Sequence, residues 1–339
     1  MIAAMIPADL PPKGPPTLKT IAFMTGLGIS TVSRALKDGP EIGADTKARV
    51  KLIAREIGYR PNRAGVRLKT GKTNVITVVL NAGEDGSGFF SNFVYGISDA
   101  LSGTSYHLVV TPYSLSDPMA PVRYIVETGS ADGVILSRTQ PDDPRVRYLL
   151  ENGVAFATHG RTEMGLVHPY FDFDNEAFAA IAVKKLVAKT RRRLALLGPP
   201  AGLTYAKHTH LGFERGLREL GLTGVPLTSI DVDTPLREVR EACRQLASNA
   251  LPPDGVACSA LRTSFAVTAG FEAAGLRIGR DFDLVTKHST ELQEMLRPEI
   301  IAIPEDFHQA GHGTAVMVMD WLAGADPAAL GRLVKPAEA

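Results

Sequence analysis

The chain has 339 residues, 22% charged and 45% hydrophobic, with a formal net charge of +1. That is ample for a large core or two subdomains, and the longest apolar runs are too short to span a bilayer. Its two cysteines, Cys243 and Cys258, fall on a predicted helix and a predicted buried strand, which points to core thiols and not a disulfide framework.

In chain order, residues 1–16 come first, with Asp9 and Pro7, Pro11, Pro12, Pro15 and Pro16 but no basic n-region or long apolar stretch. They read as a disordered leader and not as a targeting signal. Thr17 then stands where it can cap a helix whose apolar side is Ile21, Ala22 and Met24, and Gly26-Leu27-Gly28 breaks that helix. A second helix starts at about Ile29, with Val32 and Leu36 spaced i, i+4 on its buried face. Ile29, Ser30, Ser33 and Arg34 are left pointing outward, a surface that fits a DNA major groove and brings a guanidinium to a base edge or phosphate.

A third helix, roughly Asp45 to Ile57, places Val50, Ile53, Ala54 and Ile57 at helical spacing and closes a three-helix core. Such a bundle needs no ligand, and a fold does not fix a function. Charge separates the two readings. The first 72 residues hold 13 Lys+Arg against 5 Asp+Glu, whereas the remainder holds 24 against 31. A basic head on an acidic body is the footprint of a nucleic-acid-binding module.

From Thr17 to Leu36 the chain follows the pattern T-L-x-x-I-A-x-x-x-G-L-x-x-S-T-V-S-R-A-L, continuing through Ile42-Gly43-Ala44-Asp45-Thr46-Lys47 to Gly58-Tyr59-Arg60-Pro61-Asn62-Arg63. These residues resemble the lactose/galactose repressor (LacI/GalR) family of bacterial regulators. The resemblance implies that Ile29 and Ser30 read base edges, and that Thr31, Ser33 and Arg34 hold phosphates or bases. It adds Thr17, Tyr59 and Arg63 as DNA contacts, starts a short hinge helix at Asn62, and places Leu68 as a wedge in the central minor-groove step. Leu68 could equally be an ordinary linker residue, but Arg63, Arg67, Lys69 and Lys72 around it suit a phosphate-lined groove. The family's usual serine caps are Gly28 and Gly43 here. Gly65 inside the proposed hinge helix costs about 1 kcal/mol relative to Ala, so ordering of the hinge is expected to be coupled to DNA binding.

Beyond about Asn74, short apolar runs alternate with helical stretches. Val75–Leu80, Leu108–Val110, Gly133–Leu136 and Val154–Ala157 read as buried parallel strands, and Arg193–Leu197, Gly255–Cys258 and Phe282–Val285 as a second set. Helical segments at Asn92–Ser102, Asn175–Ala188 and Leu236–Ala250 complete an α/β pattern of doubly wound sheets. The order is similar to the periplasmic-binding-protein-like body of the same family. The expected organisation is therefore a leader (1–16), an all-α helix-turn-helix DNA-binding head (17–60), a hinge helix and linker (61–73) and an effector-binding and dimerisation body (74–335). Within the body, lobe 1 takes about 74–171 and 304–325, and lobe 2 takes about 172–303 and the C-terminus. A ligand is expected outside the carboxyl ends of the strands. No heptad run offers a tetramerising coiled coil.

Enzyme signatures are missing: there is no phosphate-binding Gly-Lys loop, no nucleophile elbow and no His-Glu-x-x-His. His308 and His312 could share a helix face as metal ligands do, yet neighbouring Gly311 and Gly313 favour a helix-start or crossover role. No metal or cofactor is expected. The resemblance implies an effector cleft covered by Phe89 or Phe90, one of the two being ordinary packing. Where the family has an aspartate after the fourth strand, Gly160 stands between His159 and Arg161; its usual arginine is Thr209, between His208 and His210; a second aspartate is His288, after Lys287. Ser259, after the Gly255–Cys258 run, is a further candidate. Cationic and neutral donors thus crowd the expected acidic clamp, which points to an anionic group on the effector. The alternative is that Arg161 or Lys287 pairs with Asp174 or Glu305.

These readings converge on a cytoplasmic transcriptional regulator, a repressor, binding double-stranded palindromic operator DNA as a homodimer under control of a sugar or sugar derivative. A transporter's solute-binding protein would share the body but needs a secretion signal in place of the basic head.

Overall fold

The computed structural model describes residues 15–60, 67, 71–81, 89–287 and 290–337. Its contacts divide the chain between Thr73 and Asn74 into two compact units.

The first unit contains α1 (Leu18–Thr25), α2 (Ile29–Leu36) and α3 (Ala44–Glu56). Thr17 and Thr20 form a reciprocal capping box: the Thr20 amide donates to the Thr17 hydroxyl and the Thr17 amide to Thr20 Oγ1 at 3.0 Å. Gly26, at φ 69°, ends α1 in the left-handed conformation that glycine adopts without steric cost. Gly28 and Gly43 precede α2 and α3 with no side-chain cap. Ile21, Val32, Ala35, Val50 and Ala54 make the buried core. Met24 is not part of it. It is 46% exposed, and Thr25 turns inward because i, i+4 spacing puts it over Ile21, whose carbonyl accepts its hydroxyl at 2.7 Å. Likewise Ala35 is buried on α2, with Leu36 half-buried at the margin.

The second unit has two parallel sheets. The first contains β1 (Val75–Asn81), β2 (His107–Tyr113), β3 (Gly133–Leu136), β4 (Ala155–His159), β5 (Tyr170–Phe173) and β10 (Gly331–Val334), in the order β10-β5-β4-β3-β1-β2. The second has the order β6 (Leu194–Leu197), β7 (Gly255–Cys258), β8 (Asp283–Lys287), β9 (Ile301–Ile303). Lobe 1 carries α4 (Phe89–Leu101), α5 (Ala120–Thr128), α6 (Pro144–Glu151) and α12 (Phe307–Leu322); lobe 2 carries α7 (Asn175–Ala188), α8 (Thr204–Glu219), α9 (Leu236–Ala247), α10 (Leu261–Ala273) and the short α11 (Glu291–Leu296). Fully buried strands such as β3, β6 and β7 read as continuous apolar runs because helices cover both faces.

The C-terminal segment is a correction. β10 pairs with β5 from Gly331↔Tyr170 to Val334↔Phe173, and the Asp174 amide donates to Val334 O at 2.8 Å. Its backbone groups are therefore satisfied in the sheet of lobe 1 and not in lobe 2. Helix pairs approach closely in both lobes. A methyl on Gly96 would run into the His308 carbonyl between α4 and α12, and one on Gly212 into the Glu176 carbonyl between α7 and α8. Among the described residues no helix is long and apolar enough to cross a membrane.

Candidate functional site

Two sites emerge, one in each unit. On the head, α2 shows solvent Ile29 (45% exposed), Ser30 and Arg34, with Thr31 and Ser33 half-buried beside them. Val32 and Ala35 hold the helix down from the opposite side. Arg34 lies in solvent with its Nε 3.5 Å from Glu41, a loose surface pair that leaves the guanidinium available. Thr17 is spent on the capping box, although it remains exposed. Tyr59 packs half-buried on the head core, and burial raises its phenol pKa. Asn62, Arg63, Leu68 and Gly65 lie outside the described residues.

In the body, a cleft with about 950 Å³ of empty space, part of it open to solvent, lies at the carboxyl ends of strands from both sheets. Ser137 and Arg138 follow β3, His159 ends β4, Ser259 follows β7 and Lys287 ends β8; Asp172 and Glu305 come from the two chain crossings. Phe89, Tyr205 and Phe307 add aromatic faces. Phe89 stacks on His159 with centroids 5.4 Å apart at 24°, and Phe307 meets Phe89 edge-on at 5.1 Å.

A buried polar chain forms the floor. Lys287 Nζ lies 2.8 Å from Glu305 Oε2 and donates to Asn175 Oδ1 at 3.0 Å, and Nε2 of His159 stands 3.6 Å from Glu305 Oε1. The Lys287 ammonium also sits 5.5 Å from the ring centres of Phe173 and Tyr205. Burial alone pushes the Glu305 carboxyl up. Lys287 and His159 outweigh it and pull the carboxyl down to about 2.

These pairings overturn the expected cationic clamp. Lys287 is neutralised by Glu305, and Arg161 Nε donates to Asp172 Oδ2 at 2.6 Å instead of facing an open cleft. A buried cation without a counter-charge is costly, which is why each sits against a carboxylate. Arg262 is the lining cation with no carboxylate partner among the described residues. Of the other candidates, Phe89, His159 and Ser259 line the cleft, whereas Phe90 packs on the lobe 1 core. His208 lies off the lining, with its Nε2 3.5 Å from Glu163; Thr209 is buried and donates its hydroxyl to Tyr205 O; His210 is exposed. His288 lies outside the described residues. His308 is a partner of Asp99 at 2.7 Å, tying α12 to α4. Cys243 and Cys258 are free and buried, and burial pushes both thiols up to about 12.

The lining residues that sequence reasoning missed include Arg138, Asp172, Asn175, Tyr205, Asp233 and Phe307. Ser137-Arg138 carried a signal, since they directly follow a predicted strand. Tyr205, on a helix, and Asp233, in a loop, carried none.

Comparison with known proteins fits both sites. Residues 17–62 match the model for bacterial regulatory proteins of the lacI family, and residues 183–338 match a periplasmic binding protein-like domain. The chain is 34% identical over 294 residues to the HTH-type transcriptional regulator AglR of Rhizobium meliloti, covering 86% of this chain and 82% of that one. It is 31% identical over 322 residues to the HTH-type transcriptional regulator RafR of Escherichia coli, covering 93% and 94%. The chain belongs to the lacI family. It is a DNA-binding transcriptional regulator, and its relatives are regulators and not enzymes. Among lacI-family structures, the Lac repressor dimer bound to operator and anti-inducer superposes with a TM-score of 0.83 at 19% identity, covering 96% of this chain and 97% of that one. A CelR–cellobiose complex gives 0.69 at 23% identity, with 95% and 98% covered. Both carry the two-lobed fold.

Proposed function

We propose that this lacI-family regulator is a repressor that binds a pseudo-palindromic operator as a homodimer in the cytoplasm and is controlled by a neutral sugar in the body cleft. The DNA contacts are Ile29, Ser30, Thr31, Ser33 and Arg34, with Asn62, Arg63 and Leu68 of the hinge. For the homodimer, support comes from apolar residues left in solvent on lobe 1: Val109 and Val110 on the sheet-edge strand β2, and Tyr95 on α4. A two-fold pair sets two recognition helices on successive major-groove faces.

The observation that carries the effector reading is the polar complement of the cleft. Its buried hydroxyls Ser137 Oγ and Ser259 Oγ have no hydrogen-bond partner among the described residues, while Lys287 and Arg138 are already paired with Glu305 and Asp233. Unmet hydroxyls beside aromatic faces suit a polyhydroxylated, uncharged ring, whose hydroxyls both donate and accept. The CelR relative is recorded in complex with cellobiose.

A thermal-shift screen of neutral mono- and oligosaccharides, sugar phosphates and sugar acids tests this reading. A ligand at 100 times its dissociation constant adds about 2.7 kcal/mol. Hits confined to phosphates or acids would overturn the neutral-sugar reading. Anisotropy titrations on operator DNA selected in vitro, with and without the hit, then give the sign of the response. Tighter DNA binding with the hit bound would identify a corepressor.

A further inference from the structure

Among the described residues, several contacts within the chain join the lobes along one flank of the cleft. Arg138, after β3, reaches Asp233 with NH2 at 2.6 Å and NH1 at 3.3 Å. The Thr204 amide, at the start of α8, donates to Thr139 O at 2.9 Å. Lys207 and His208 of α8 face Glu163, between β4 and β5, at 2.6 and 3.5 Å.

Arg138 is the unusual member. Its φ is 54°, a left-handed backbone that a side chain with a Cβ resists, and it is followed by a buried structure that enforces it. Arg145 is 3% exposed and Asp143 is 0% exposed. The Arg145 guanidinium donates to both Asp143 oxygens and, through NH2, to the carbonyls of Ser137 and Arg138 at 3.1 and 3.0 Å. Its ring contact is Tyr113, 5.6 Å away. Neither Asp143 nor Arg145 lines the cleft. A buried ion pair in lobe 1 therefore fixes the backbone from which the Arg138 side chain crosses to lobe 2.

We propose that Arg138 and Asp233 are a latch holding the lobes together, and that the buried Asp143–Arg145 pair is the positioning element that aims Arg138 at its partner. The latch forms part of the cleft wall, so a ligand of any charge meets lobes already joined on this side. It stands apart from the effector reading, since its bonds are within the chain.

The test is the distance between nitroxide labels at Arg147→Cys on α6 and Arg237→Cys on α9, measured by pulsed electron resonance on full-length protein without ligand. The native thiols are buried and stay unlabelled. Asp233→Asn and Arg138→Met are expected to raise the ratio of long to short distances by roughly tenfold, the scale of a lost charge-assisted pair. Arg145→Met should do the same, Arg145→Lys less, and the Arg138→Met/Arg145→Met double variant no more than either single, because both act on one bond. Parent-like distances in Asp233→Asn and Arg138→Met would overturn the latch. An additive double variant, or opening by Arg145→Met alone, would overturn the positioning role. Asp233 is partly exposed, so Asp233→Asn decides the latch even if Arg145→Met fails to fold.

Discussion

Replacing Lys287 with Met tests the buried chain at the cleft floor. Glu305 is 5% exposed, and its carboxylate is held by Lys287 at 2.8 Å and His159 at 3.6 Å. Its folded pKa, about 2, lies below the 4.5 usual for a glutamate, so ionised Glu305 favours the folded state. That displacement corresponds to about 3 kcal/mol. The contribution is fully present above about pH 5 and falls as pH drops from there towards 2, with about 2 kcal/mol gone by pH 3. In Lys287→Met the buried carboxylate loses its nearest cation, and the loss at pH 7 should be about 3–5 kcal/mol. Lys287→Met/Glu305→Gln removes both charges and should recover most of that loss. Urea unfolding followed by Trp321 fluorescence and circular dichroism at pH 7 and pH 3 measures each value. Between pH 7 and pH 3 the parent should lose about 2 kcal/mol more stability than the double variant. A single-variant loss below about 1 kcal/mol, or losses that simply add in the double variant, would refute the coupled pair.

On the head, Arg34→Ala should weaken operator binding by about 1–3 kcal/mol at constant salt and leave the melting temperature unchanged; unaltered anisotropy titrations would mean that α2 is not the reading helix. Thr17→Ala removes one half of the capping box and should cost about 1 kcal/mol of head stability, seen as faster amide exchange in α1. Gly96→Ala and Gly212→Ala each force a methyl against a backbone carbonyl of the neighbouring helix, and each should cost about 1–3 kcal/mol in thermal melts. A melt matching the parent would show that these helix pairs separate freely.

What the sequence made legible follows from the range of the forces involved. The head was readable because its caps, glycine turn and i, i+4 spacing are local, and the bounds of α2 and α7 emerge where periodicity placed their starts. Seven of the strands announced themselves as apolar runs. Six of these are buried, whereas β2, expected to be buried, is a sheet edge that leaves Val109 and Val110 exposed, because no strand among the described residues pairs on its outer side. β5, β9 and β10 gave no such signal: Tyr-Phe-Asp-Phe, Ile-Ala-Ile and Gly-Arg-Leu-Val are short, and their strand character comes from partners far along the chain. The cleft divides in the same way. His159, Ser259 and Lys287 sit at strand ends, where topology predicts a ligand, whereas Arg138 finds Asp233 95 residues away and Asn175 meets Lys287 across 112. No pattern in the intervening sequence marks either contact.

Those distant pairings also bear on the chemistry inferred from residue types, and Lys287 takes the alternative expected of it by meeting Glu305. Counted as side chains, Arg161, Lys287 and the neighbouring histidines make a site for an anion. Once folded, an anion bound to Lys287 must compete with Glu305, and the displaced carboxylate would remain buried and without its principal counter-charge. The neutral polyol proposed above would avoid that penalty, since Ser137, Ser259 and Arg262 line the cleft and could meet its hydroxyls while the ion pairs stay closed. Such a ligand influences DNA binding only through the difference in its affinity for two arrangements of the lobes. The flank from Arg138 to Glu163 is joined by contacts within the chain. On the proposed reading that difference comes from the rest of the cleft wall, which Phe89 and Phe307 of lobe 1 and Ser259 and Arg262 of lobe 2 line.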